Sequence, residues 1–150
     1  MKIKEIKPIS FLYFRTETKL SELGNFFMVG QNLIKEAVAN RLMVTGPVHW
    51  HYFGFEGDPQ KTFTLEISLP VSEVPQDYDG AFHFKRTEAF KCVTAVHDGD
   101  WLTMGASYGK LMEFIASQSM VPTAMNREVY VNADFKHPEA NVTEIQVGVK

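Results

Sequence analysis

Phe63-Thr64-Leu65-Glu66-Ile67-Ser68-Leu69-Pro70-Val71 and Val142-Thr143-Glu144-Ile145-Gln146-Val147-Gly148-Val149 decide the fold. In the first stretch Leu65, Ile67, Leu69 and Val71 alternate with Thr64, Glu66, Ser68 and Pro70; in the second Ile145, Val147 and Val149 alternate with Glu144, Gln146 and Gly148. A period of two is that of a strand with one face turned to a core. One offset lays the first stretch on the second, since Glu66 to Glu144 is 144 − 66 = 78. The same offset carries Leu33 to Leu111, Thr45 to Thr123, Tyr52 to Tyr130 and Ile67 to Ile145. Agreement of one offset across helix, turn and hairpin predicts an internal duplication.

Outward from these strands the period changes. Leu23, Phe26, Phe27, Gly30, Leu33, Ile34, Ala37 and Val38 recur at helical spacing, with Ser21 placed to cap the helix. Trp101, Met104, Tyr108, Leu111, Met112 and Ile115 do the same after an Asp98-Gly99-Asp100 turn. His49 to Phe55 and Arg127 to Val131 read as further strands. The expected fold is α+β: two tandem βαββ units over residues 3–71 and 81–149, related by a pseudo-two-fold, with antiparallel strands, one long helix per unit and a pocket between the units. The join is the polar, Pro- and Gly-bearing segment 72–80. Neither half buries enough surface alone, so residues 1–150 should form a single domain.

Composition removes several function classes. The net charge is −3 and the fifteen Lys and Arg are scattered, which argues against direct nucleic-acid binding. Lys2, Lys4 and Lys7 alternate with Ile3 and Ile6, as on a solvated edge strand. Cys92 is the single cysteine, so no internal disulfide can form, and its strand-like setting reads as structural. No run approaches the length of a membrane span and no signal-peptide core is visible, so a reduced, cytoplasmic setting is expected. His49 and His51 share a strand face, placed on the helix side or at an edge, but no third ligand follows at metal-site spacing. His83, His97 and His137 read as surface residues. No metal and no cofactor is expected. Aromatics are more numerous than a core of this size needs, twelve Phe, five Tyr and two Trp, which points to a lined cavity.

Each helix must cover one strand face. That face is expected to be Leu65, Ile67 and Leu69 in one half, and Val129, Val131, Ile145 and Val147 in the other. The opposite face would then carry Trp50, Tyr52, Glu66 and Ser68 together with Glu128, Tyr130, Glu144 and Gln146. Carboxylates among aromatic walls suit a lipophilic cation. A carboxylate so desolvated could also act as a general base. An antiparallel sheet can equally leave such a face in water, and alternation alone keeps both readings open.

The duplicated βαββ order, the helix segment Ser107-Tyr108-Gly109-Lys110-Leu111-Met112-Glu113-Phe114, the strand Arg127-Glu128-Val129-Tyr130-Val131-Asn132 and the closing Val142-Thr143-Glu144-Ile145-Gln146-Val147 resemble the GyrI-like small-molecule-binding superfamily. That superfamily includes effector-binding domains of bacterial multidrug-responsive transcription activators and is allied to the SOUL heme-binding fold. The resemblance implies an acidic residue at the pocket floor, here Glu128, with Glu144, Tyr130 and Trp50 as wall residues. The full expected ligand set is Trp50, Tyr52, Glu66, Tyr108, Glu128, Tyr130, Glu144 and Gln146. The first function it implies is a stand-alone binder of lipophilic, cationic or aromatic compounds. An alternative is a hydrolase of strained, cyclopropanoid genotoxins in which Glu128 or Glu144 is the general base. A second alternative is a modulator that acts on a protein partner, gyrase or a separate regulator. The chain shows no helix-turn-helix segment, so DNA binding of its own is not expected.

Overall fold

The computed structural model describes residues 1–150. It holds one eight-stranded antiparallel sheet and two α-helices. The strands are β1 Lys2–Ile6, β2 Ser10–Thr18, β3 His49–Phe53, β4 Phe63–Pro70, β5 His83–Arg86, β6 Phe90–Asp98, β7 Pro122–Asn132 and β8 Val142–Val149. Helix α1 is Val29–Ala39, between β2 and β3, and α2 is Met104–Ser117, between β6 and β7. The strand order is β1-β6-β8-β7-β3-β4-β2-β5. β1 therefore lies at one edge, as its lysines suggested, and β3 lies beside β7 at the centre.

Two local expectations change. Each half contributes four strands, not three, because Ser10–Thr18 is a strand in its own right. Its opening Phe11 and Leu12 are fully buried on opposite faces, so it has no simple alternation to read. Ser21 caps nothing. Residues Leu20–Phe26 wind as a tighter 3-10 segment, and α1 starts only at Val29 without a side-chain cap. The turn before the second helix is as expected, with Asp100 accepting a hydrogen bond from the Leu102 amide and Gly99 supplying the positive φ of 109°, but Trp101–Thr103 winds as a 3-10 turn and α2 itself starts at Met104 without a side-chain cap.

The apolar core is in two pieces. Leu33 and Ala37 of α1 pack with Leu12, Leu65, Ile67 and Leu69, and Leu111 and Ile115 of α2 pack with Val93, Ile145 and Val147. Each helix thus sits on its own flank of the sheet, α1 over β2 and β4, α2 over β6 and β8. The central pair β3–β7 has no helix directly above it.

The strand register corrects the expected faces. Residues opposite one another in an antiparallel pair point to the same side. Trp50 is opposite both Ile67 and Glu128, Tyr52 is opposite Leu65, and Glu128 is opposite Ile145. Trp50, Tyr52, Glu128 and Tyr130 therefore share the helix side with the core residues. Val129 instead stands opposite Glu144 and His49 on the other side, and Val131 is exposed. Glu66, Ser68, Glu144 and Gln146 lie on that other side too, along with His49 and His51.

The second side is not in water either. Side chains reach over an intervening strand, Phe11 of β2 to His49 and His51 of β3, and Phe90 of β6 to Arg127 of β7. The β1–β2 and β5–β6 connections meet there, with the Thr87 amide donating to the Ile9 carbonyl at 2.9 Å and the Ile9 amide to Thr87 Oγ1 at 3.0 Å. The sheet curls on itself, and Ser68, Cys92, Thr94, Arg127 and Gln146 are buried inside the curl. Burial raises the Cys92 thiol to about 11, which keeps it protonated and unreactive at neutral pH.

Candidate ligand-binding site

Between the two helices, over β3 and β7, lies a cavity of about 1080 Å³. Its existence follows from the placement of the helices: each covers its own flank, and the gap between them exposes the central strand pair. Trp50 and Tyr52 come from β3, Glu128 and Tyr130 from β7, and Tyr108 from the inner side of α2. Trp101, at the turn before α2, and Phe27 and Phe135 from the loops complete an aromatic cage. Trp101 lies 5.5 Å from Tyr130 and 5.3 Å from Phe135, Trp50 lies 6.0 Å from Tyr130, and Phe27 lies 5.4 Å from Phe135, all centroid to centroid. Trp101 is held by its indole N–H, which donates to Thr143 Oγ1 at 3.1 Å.

Glu128 sits at the bottom, 7% exposed. Three phenol hydroxyls donate to it: Tyr52 at 2.9 Å, Tyr130 at 2.7 Å and Tyr108 at 2.5 Å. Burial raises its pKa above the ordinary 4.5, and the three phenols pull the other way by favouring the charged form. The same burial, with the carboxylate alongside, holds all three tyrosines well above their usual value of 10, so they stay protonated and remain donors. No Lys, Arg or His lines the cavity. Glu128 makes no ion pair, in contrast to Glu66, which pairs with Arg15 and Lys85, and Glu144, which pairs with Lys4. The cavity therefore presents a desolvated acid with no resident counter-charge.

Of the residues expected at the site, Trp50, Tyr52, Tyr108, Glu128 and Tyr130 come together here. Glu66, Glu144 and Gln146 do not. They are on the far side of the sheet, because the pairing puts even-numbered residues of β3 and β7 beside odd-numbered residues of β4 and β8. Glu128 and Glu144 thus cannot act as a pair of acids on one substrate. Phe27, Trp101 and Phe135 are site residues that no sequence pattern marks individually as such; their one signal is the excess of aromatic residues. His97 is buried, not a surface residue, and bonds to Ser107 Oγ and the Asp100 carbonyl at the foot of α2. No group of three or more His, Cys, Asp or Glu side chains is placed to hold a metal, and no helix is long and apolar enough to cross a membrane.

The sequence matches the GyrI-like small molecule binding domain over residues 1–150. The chain belongs to the GyrI-like family. Among solved structures, this GyrI-like chain is similar to the C-terminal domain of EcmrR, with a TM-score of 0.81 at 20% identity over 99% of this chain and 96% of that one. In the EcmrR–DNA complex the match has a TM-score of 0.80 at 21% identity, and 99% of this chain spans only 56% of that chain's length. SAV2435, solved bound to tetraphenylphosphonium, has a TM-score of 0.62 at 14% identity over 99% of this chain and 93% of its own. A protein from Listeria innocua described as a hydrolase encoded by lin2189 has a TM-score of 0.65 at 15% identity over 99% and 92% of the two chains. No curated protein matches the sequence. At these identities the neighbours show a shared fold.

Proposed function

We propose that this GyrI-like chain is a cytoplasmic binding protein for lipophilic, aromatic cations, which enter the cavity between α1 and α2 and pair with Glu128. The carrying observation is the buried Glu128 carboxylate, held by three phenols, surrounded by rings and left without a positive partner. A delocalised cation loses little hydration on entry, gains cation–π contact with the rings and supplies the missing charge. The bound tetraphenylphosphonium of SAV2435 is of this chemical class. The strand order supports two tandem pseudo-symmetric units with the pocket at their junction: read backwards, with each strand of one half exchanged for its counterpart in the other, it is unchanged. Glu128 and its pairing partner Trp50 are themselves 78 residues apart, which supports a two-fold passing by the pocket floor.

Tetraphenylphosphonium and tetraphenylborate share a shape and differ in sign of charge. Calorimetric titration should show the phosphonium binding and the borate at least tenfold weaker; equal affinities would overturn the reading. The pH dependence follows from the raised carboxyl. The folded, empty protein holds the Glu128 proton more tightly than the unfolded chain does. This group therefore contributes stability at low pH, and that contribution is lost as pH rises through the raised value. Cation binding needs the ionised form and runs the opposite way. Affinity for tetraphenylphosphonium should fall on acidification before pH reaches the ordinary carboxylate value of 4.5. A titration series that stays flat down to 4.5 would show that Glu128 does not carry the binding.

A second reading, hydrolysis with Glu128 as general base, is favoured by that same raised pKa. Product analysis after incubation with a cyclopropane-bearing substrate separates it from binding: turnover abolished in Glu128→Gln, with substrate affinity kept, would make the chain an enzyme.

A further inference from the structure

On the far side of the sheet, inside the curl, Arg127 is 3% exposed and makes no ion pair, and its Nε and Nη1 have no hydrogen-bond partner. Its guanidinium lies over the Phe90 ring at 4.2 Å, a contact that fixes its plane without neutralising it. Burial lowers its pKa to about 10, which still leaves it charged at neutral pH. A buried guanidinium without an anion is costly, so a group held this way marks a place for one.

The neighbours do not supply the anion. Glu66 is already shared by Arg15 and Lys85. His49 and His51 are joined Nδ1 to Nε2 at 3.1 Å and are neutral, His49 being held down at about 3 by burial and by Arg127 itself. Cys92 is a protonated thiol. Arg15, Lys85 and Arg127 against the carboxylates of Glu66 and, at the rim, Glu88 still leave this region net positive. Next to Arg127 opens a second cavity of about 350 Å³, separate from the cation pocket, with Lys85 at one wall and Phe53, Phe90 and Met125 as apolar surface. Glu88 stands exposed at its rim and pairs with no cation. His51 Nδ1 is buried, unpartnered and on the same wall; with the His49 proton on Nδ1, His51 carries its own on Nδ1 and becomes a further donor.

We propose that this second cavity is a binding site for a small organic carboxylate, whose head pairs with Arg127 and whose apolar body lies against Phe53, Phe90 and Met125. A bridging water could satisfy the orphan N–H groups but not the charge, and three apolar side chains around the opening favour a ligand with a body over a bare ion. The site does not depend on the cation pocket, so either can fail alone.

Benzoate, its neutral isostere benzamide and inorganic phosphate, at matched ionic strength in chloride buffer, test the proposal by thermal melting of the full chain. At about ten times its Kd, benzoate should raise the wild-type midpoint by roughly 3–6 °C, and the other two should not. Arg127→Met should lose that shift while melting no lower than wild type without ligand, because it removes an unpaired buried charge. Ala89→Trp, at an exposed position on the cavity wall, plugs the opening without touching the core and should also lose the shift. It decides alone if Arg127→Met does not fold. Glu128→Gln should leave the benzoate shift intact. Equal shifts with benzoate and benzamide, or a benzoate shift kept in Ala89→Trp, would overturn the site. Protection by phosphate equal to that by benzoate would overturn the organic-acid assignment.

Discussion

Replacing Glu128 by Gln is expected to weaken tetraphenylphosphonium binding by roughly 30- to 150-fold, about 2–3 kcal/mol, the lower part of the range for removing one partner of a buried charge pair. The lower part applies because Gln keeps the shape and one acceptor oxygen. The three phenols that converge on Glu128 donate to a carboxylate; against an amide, one of them must turn away or accept instead. The empty variant should be no less stable than wild type at neutral pH, since a desolvated charge has been removed. Calorimetry with the phosphonium and the borate on both proteins gives the result directly. The expected pattern is a loss confined to the cation. A parallel loss for both ligands would mean that the substitution distorted the cavity, and no loss would mean that the acid plays no part in recognition.

Ile145→Ala should destabilise the fold by about 2–4 kcal/mol, through lost burial and the cavity left behind. Ile145 is fully buried on β8, opposite Glu128 on one side and Ala95 on the other, and packs in the α2 cluster. Val131→Ala is the matched control. It removes methyl groups from the strand beside β8 but from a side chain 59% exposed, so its effect should stay within about 0.5 kcal/mol. Urea denaturation of both variants measures the contrast. Similar costs for the two would contradict the register that separates them.

That pair of residues also shows where the sequence was legible and where it was not. Alternation within β4 and β8, the stripes of α1 and α2, and the offset of 78 are properties of one segment or of two compared directly, and each could be read from residues alone. Parity between strands is different. Whether Trp50 shares a face with Glu66 or with Ile67 depends on how many residues the β3–β4 connection spends before pairing resumes, and one residue moves every side chain across the sheet. The sequence alone suggests even beside even, and the pairing is even beside odd, so Glu66, Glu144 and Gln146 lie outside the site while Trp50, Tyr52, Glu128 and Tyr130 stand together. The second face, open in the sequence between a pocket wall and a solvated surface, is neither, for a related reason. Curling buries the second face, and no local pattern announces a contact such as Phe90 with Arg127, which reaches over β8. The aromatic cage was foreshadowed only by composition; Phe135 stands in a loop, where no periodicity marks it.

The edge position of β1 has a consequence for how the chain reaches this state. Lys2 pairs with Thr94 and Ile6 with Phe90, so β1 waits for a partner that is made 84 to 92 residues later, 90 − 6 to 94 − 2. Contacts so distant in sequence form late, because the loop they close carries a large entropic cost. Until β6 is made, β1 is an unpaired template on which a neighbouring nascent chain could add. Lys2 and Lys4 in the strand and Lys7 just past it outnumber Glu5, so two such segments carry a net positive charge and repel one another, and Pro8 beyond the strand's end removes a donor. The charges that make this strand a tolerable edge in the finished protein thus also guard it during the interval when it has nothing to pair with.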